Sequence, residues 1–137
     1  MAEENNNKNN QDTKYKVLIV EDETSLREPL AEALAGEGFS VVQAKDGKDG
    51  FDKALAERPD IILLDLLMPE RGGMEMLRLL RQDAWGANAE IIVLTNLSNS
   101  VPLAEALANH AHHYMVKSDY SMGEIVSKVR ELLALKG

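Results

Sequence analysis

At 137 residues, 45 % of them hydrophobic, the chain has the size and apolar content for one domain with its own core, and a formal charge of −8 argues against a polyanion-binding protein. The absence of cysteine excludes a disulfide framework, a thiol nucleophile and thiolate metal sites. No apolar run approaches the ~18 to 20 residues that span a bilayer and no signal-peptide core opens the chain, so a cytoplasmic protein without nucleic-acid or membrane partners is expected.

Residues 1–13 are dominated by Asn and have no apolar residue after Ala2. Such a stretch cannot offset its ordering entropy, so a disordered tail is expected there and one folded domain over 14–137. From Tyr15 onward short β-branched runs alternate with longer amphipathic stretches, the βα rhythm of a parallel sheet covered on both faces. The strands are predicted at 15–20, 39–43, 60–64, 90–94 and 112–116. Ile61, Ile62, Leu63 and Leu64 show no polar alternation, as a strand buried on both faces requires. Leu26, Leu30, Ala33 and Leu34 mark the first helix, which Gly36 or Gly38 ends. Pro29 fits that helix only near its first turn, which points to Thr24 or Ser25 as the cap. Further helices are predicted at 47–57, 73–83, 100–109 and 121–135. Ser100 with Pro102 marks one start, and Ser121 with Glu124 has capping-box spacing at another.

Four of the apolar runs stop on groups suited to phosphate or metal chemistry. Val17 to Val20 ends on Glu21 and Asp22, Ile61 to Leu64 on Asp65, Ile91 to Leu94 on Thr95, and Tyr114 to Val116 on Lys117. In an open α/β sheet these groups would meet in the crevice beyond the strands' carboxyl ends, where such sheets bind ligands. Two carboxylates about 4 Å apart repel by roughly 4 kcal/mol at an effective dielectric of ~20. The cluster therefore calls for positive charge, from Lys117 and from a hard divalent cation, and Mg²⁺ suits few carboxylates plus water and phosphate. A carboxylate beside that metal can attack phosphorus and form an acyl phosphate. Taken singly, an acid after a strand is usually a loop residue or cap, a strand-end Thr is structural and a Lys is solvated. It is their joint order along the chain that carries weight.

On these residues the chain resembles a response-regulator receiver domain of two-component phosphorelay systems. The matching pieces are Val20-Glu21-Asp22-Glu23, Leu64-Asp65-Leu66-Leu67-Met68-Pro69 with Gly73 following, Leu94-Thr95, and Tyr114-Met115-Val116-Lys117. The resemblance covers everything from about Tyr15 to the end. It implies a (βα)5 flavodoxin-like three-layer α/β sandwich with parallel strand order 2-1-3-4-5. It implies further that Asp65 accepts a phosphoryl group from a histidine kinase or histidine phosphotransfer protein. Glu21, Asp22, Asp65 and the backbone carbonyl of Leu67 would hold Mg²⁺, Thr95 and Lys117 would bind phosphoryl oxygens, and Tyr114 would switch with Thr95. The implied protein is a single-domain regulator, not an enzyme, that turns a surface toward a downstream protein target. It would be a monomer, with phosphorylation-dependent homodimerisation as the option that family members often use.

Some positions depart from that pattern. The family's cis proline after the Lys is here Ser118, so a trans bond, or else a strained one, and a reshaped loop are expected. Asn96 stands where a small residue is common and is expected to narrow access to the phosphoryl group. Leu67 and Leu97 are apolar and cannot orient a water, which predicts a long-lived acyl phosphate. His110, His112 and His113 invite a metal-site reading, but lie at the amino end of the last strand and are better taken as exposed polar residues at a loop-to-strand junction. His110 also occupies a helix-ending position that favours Gly, leaving Asn109 as the expected left-handed residue. Met68, Met74 and Met76 are read as gap fillers, and Trp85 is expected at the amino end of the fourth strand, remote from Asp65. Three alternatives conflict with particular residues. A haloacid-dehalogenase-type phosphatase would need a second Asp where Leu67 stands. A flavin binder would need a phosphate cradle where Glu21 and Asp22 stand. A pseudo-receiver would not need the acid trio.

Overall fold

The five β-branched runs form five strands in the computed structural model, which describes residues 15–66, 72–95, 106, 108–111 and 113–136, with side chains as far as 134. In chain order the elements are β1 (Lys16–Val20), α1 (Thr24–Gly36), β2 (Ser40–Ala44), α2 (Gly47–Glu57), β3 (Ile61–Leu64), α3 (Gly73–Gln82), β4 (Ile91–Thr95), β5 (His113–Val116) and α4 (Met122–Lys136). Short 3₁₀ turns at Gly86–Asn88 and Lys117–Asp119 precede β4 and follow β5. Each strand lies within about one residue of its predicted position. The tail expected at 1–13 and most of the helix expected at 100–109 lie outside the described residues.

All pairings are parallel and the sheet order is β2-β1-β3-β4-β5, as the resemblance implied. The alternation of side chains along each strand divides the core between two faces. Val17, Ile19, Ile61, Leu63, Ile92 and Leu94 pack with α1 residues such as Leu34 and α4 residues such as Val129. Leu18, Val20, Ile62, Leu64 and Val93 face the other way, against Ala54 of α2 and Met76, Leu77 and Leu80 of α3. The uninterrupted apolar runs thus serve a three-layer sandwich buried on both sheet faces, a flavodoxin-like α/β fold.

Three local expectations need correction. Neither Thr24 nor Ser25 caps α1: Glu23 holds the cap position without a side-chain bond, and its carbonyl accepts from the Leu26 and Arg27 amides. The free donors at this end are partly met by the Glu21 carboxylate, which accepts from the Glu23 amide at 3.1 Å, so the capping acid sits before the cap. Pro29 consequently falls in the second turn, where its missing N–H would have bonded Ser25, an exposed residue whose carbonyl water can serve. The left-handed residue before β5 is His110 (φ 61°), not Asn109. The Ala111 amide donates to the Ala106 carbonyl at 2.9 Å, and that closure requires the residue just before Ala111 to take the left-handed conformation. At the end of α1 a glycine does fill such a position, Gly38 with φ 98°. The Ser121–Glu124 capping box forms as predicted, with reciprocal bonds of 2.8 and 3.1 Å.

Candidate functional site

The parallel register fixes what the strand ends can share. Val20 is paired with Leu64, so Glu21 and Asp65 emerge level with each other on neighbouring strands. Leu64 is paired with Val93, and Thr95 with Val116, so Thr95 lies one step beyond Asp65's level and Lys117 one step beyond Thr95. Both principal acids remain tied to the ladder. The Glu21 amide donates to the Ala44 carbonyl and the Asp65 amide to the Val20 carbonyl, each at 3.1 Å. Their backbones are therefore as rigid as the sheet itself.

Glu21 and Asp65 are buried, at 5 % and 7 % exposure, while Asp22 is exposed. One carboxylate oxygen from each of the three lies within 4.8 Å of the others. Lys117 bridges the buried pair, donating to Glu21 Oε1 and, at 3.4 Å, to Asp65 Oδ2. Burial pushes the Glu21 carboxyl above the ordinary glutamate value of 4.5, against the hydrogen bonds it accepts from Lys117 and the Glu23 amide, and the Asp65 charge pushes it further. Burial alone would lower Lys117, but its two carboxylate partners raise it above the ordinary lysine value of 10.5. Three carboxyl groups converge and one ammonium contacts two of them, and the excess negative charge suits a hard divalent cation with oxygen ligands. The donor set, with few carboxylates and one of them open to solvent, fits Mg²⁺, which keeps several of its waters.

Gly73 completes the floor. It opens α3, and a Cβ there would overlap the carbonyl oxygen of Asp65, so α3 can start this close to the acid only with glycine. Thr95 is fully buried at the end of β4. Tyr114 is half-buried on the same sheet face as Val93 and Thr95, and burial raises its phenol pKa. Leu67, Met68, Asn96, Leu97 and His112 lie outside the described residues. The Lys117–Ser118 bond is trans, since the described residues contain no cis peptide, and the chain passes through the Lys117–Asp119 turn without displacing Lys117 from the acids.

The sequence reading did not single out Arg27. It lies one helical turn into α1 and donates to the Glu21 carbonyl at 2.9 Å, a contact its spacing alone does not advertise. His113 does stand at the start of β5 but is half-buried where an exposed residue is expected, because its Nε2 lies 2.9 Å from a Glu90 carboxylate oxygen. Met76 is fully buried, as a gap filler should be, and Trp85 precedes β4 at the opposite edge from Asp65. Size does not select the site. A concavity of about 550 Å³ at that opposite edge is lined by Arg81, Glu90, His110 and His113, whereas the slot beside Glu21, Asp65 and Lys117 measures about 150 Å³. The larger hollow is gathered around Arg81, each of whose three nitrogens already donates to a backbone carbonyl.

A family model for the response regulator receiver domain matches residues 17–130. The chain belongs to that family. This receiver is 33 % identical over 118 residues to the response regulator MprA of Mycolicibacterium vanbaalenii, covering 86 % of this chain and 50 % of that protein. It is 36 % identical over 117 residues to the response regulator ArlR of Staphylococcus aureus, covering 85 % and 52 %. The receiver thus spans about half the length of the curated relatives it matches. Among solved structures it is similar to the Vibrio cholerae chemotaxis protein CheY4, with a TM-score of 0.78, 26 % identity and 85 % and 97 % of the two chains covered. It is also similar to the N-terminal domain of WS1339 from Wolinella succinogenes, with a TM-score of 0.79, 30 % identity and 89 % and 96 % covered. As a receiver it is a module of phosphorylation-based two-component signalling, a family whose members bind Mg²⁺ at an acidic pocket. Among the described residues no helix is long and apolar enough to cross a membrane.

Proposed function

We propose that this receiver, over about 14–137, accepts a phosphoryl group on Asp65 from a phosphohistidine of a kinase or phosphotransfer protein. The observation that carries the proposal is the convergence of the Glu21, Asp22 and Asp65 carboxylates within 4.8 Å, with Lys117 in contact with two of them. An Asp65 carboxylate oxygen attacks phosphorus, the phosphorus–nitrogen bond to the donor imidazole breaks, and the imidazole leaves with the bonding pair. Glu21, Asp22 and Asp65, with the Leu67 carbonyl that the family resemblance adds, would hold Mg²⁺, which would supply positive charge to the phosphoryl oxygens. Lys117 neutralises further charge there and the Thr95 hydroxyl donates a hydrogen bond. As Thr95 turns toward phosphate, Tyr114, on the same sheet face, repacks and biases the surface around β5 between two states.

The signal leaves this domain through protein contacts, a reading supported by the charge of −8, which disfavours nucleic acid. With Leu67 and Leu97 unable to orient water, the acyl phosphate persists; loss of the label within seconds, without a phosphatase, would count against this part. The principal test is intact mass after acetyl phosphate treatment with and without Mg²⁺. One Mg²⁺-dependent phosphoryl adduct, lacking in Asp65→Asn, is expected. No adduct on folded protein, from acetyl phosphate or from a panel of kinases, would reduce the domain to a binding module.

A further inference from the structure

We infer that Arg27 is a positioning residue for the metal-binding turn: its guanidinium holds the Glu21–Asp22 peptide in the plane that aims the Asp22 carboxylate at the cation. The inference rests on the proposed Mg²⁺ site and concerns a residue outside it.

The guanidinium is held at three points. Nη1 donates to the Glu21 carbonyl at 2.9 Å, Nε to Gln43 Oε1 at 3.0 Å and Nη2 to Thr24 Oγ1 at 3.4 Å. A planar fork anchored at three points has little freedom left, so it can act as a template for what it touches. Its seat is firm as well. Gln43 belongs to β2, and its carbonyl accepts from Lys53 Nζ at 2.6 Å, which ties that strand to α2.

The turn itself shows why this matters. The Glu21 amide is fixed by Ala44, and the Glu21 side chain by Lys117 and the Glu23 amide. Asp22 differs: it is exposed, so little packing directs its side chain. Its direction follows from the peptide plane shared by the Glu21 carbonyl and the Asp22 amide. Among the described residues, Arg27 is the side chain bonded to that carbonyl. Without it the plane can rotate and carry the Asp22 carboxylate out of the cluster.

A positioning role and a purely electrostatic one predict opposite signs. A guanidinium near a cation site repels the cation, so deleting the charge should tighten Mg²⁺ binding if charge were all that mattered. If Arg27 positions the turn, Arg27→Met should weaken Mg²⁺ binding about 10-fold, the low end of the effect of residues that orient metal ligands. Arg27→Lys keeps the charge and one donor for the Glu21 carbonyl and should recover part of the loss. Gln43→Leu, which leaves Arg27 in place but unseats it, should give a smaller loss and serves if Arg27→Met does not fold. The experiment is calorimetric titration with Mg²⁺ alone, with thermal unfolding in chelator to show that each variant is folded. Weaker binding by Arg27→Met or Gln43→Leu, with partial recovery in Arg27→Lys, supports the inference. Unchanged or tighter binding by folded variants overturns it while leaving the Mg²⁺ site standing. A wild-type protein that takes up no Mg²⁺ overturns the site and the inference together.

Discussion

The two edges of the sheet handle buried charge in opposite ways. At the amino edge, Arg81 of α3 donates to the carbonyls of Asn109, Gly86, Ala89 and His110 at 2.7 to 3.0 Å, joining the end of α3, the approach to β4 and the approach to β5. Its burial lowers its pKa, the Glu90 charge works against that, and every contact is one a cation wants. At the carboxyl edge, three carboxyl groups converge, one lysine contacts two of them, and burial pushes Glu21 upward. One edge is a completed set of hydrogen bonds and the other is short of positive charge. The lesson is that a saturated buried charge holds a fold together, whereas an undersupplied one marks the place where a ligand must enter.

The largest expected effect tests the saturated edge. Arg81→Ala takes a donor from four carbonyls, of which that of Gly86 keeps the Ala89 amide, and should destabilise the protein by about 3 kcal/mol, roughly 10 °C in melting temperature. Mg²⁺ affinity should remain close to wild type. Loss of Mg²⁺ binding in a folded Arg81→Ala protein would break the division between the two edges. The next effect concerns the undersupplied edge. At free Mg²⁺ about 100-fold above Kd, mass action should stabilise the wild type by roughly 2.7 kcal/mol. Asp65→Asn should stabilise the metal-free protein by about 1 kcal/mol by relieving repulsion, and should lose most of the Mg²⁺ increment. A destabilised Asp65→Asn protein, indifferent to Mg²⁺, would mean that the carboxylates do not repel one another.

A smaller effect, and a sharper one, is the pH dependence. Because the Glu21 pKa is raised in the fold, the folded protein takes up this proton at a higher pH than the unfolded chain does. Acidification through the window just above 4.5 should therefore favour the metal-free fold as far as Glu21 is concerned, while the Mg²⁺ increment shrinks because the ligand must be ionised. The raised Lys117 has the opposite placement: its contribution is intact at neutral pH and is lost only as pH rises past its folded value, above 10.5. Melting temperatures in chelator and in Mg²⁺ across this range should converge on the acid side. Parallel curves would remove Glu21 from the metal site.

Most of the fold was legible because its signals are local. Uninterrupted runs such as Ile61 to Leu64 could serve only strands buried on both faces, and the strand-terminal acids followed directly from where those runs stop. What the sequence hid depends on contacts between distant parts of the chain. The start of α1 moved because the Glu21 carboxylate, already outside the helix, meets one of its donors. His110 took the left-handed conformation because the Ala111 to Ala106 closure leaves no other residue for it. Nothing in the spacing of Arg81 and Arg27 sets them apart, and only folding brings four carbonyls to the one and the acid turn to the other.

Gly73 carries an evolutionary consequence. Because even a methyl group would collide with the Asp65 carbonyl, the position has one admissible letter and drift is closed to it. Elsewhere on α3, at exposed Leu79, the same helix can be rewritten by mutation without reaching the acid. Divergent copies of this gene should therefore differ freely along the outer side of α3 while this one codon stays under purifying selection.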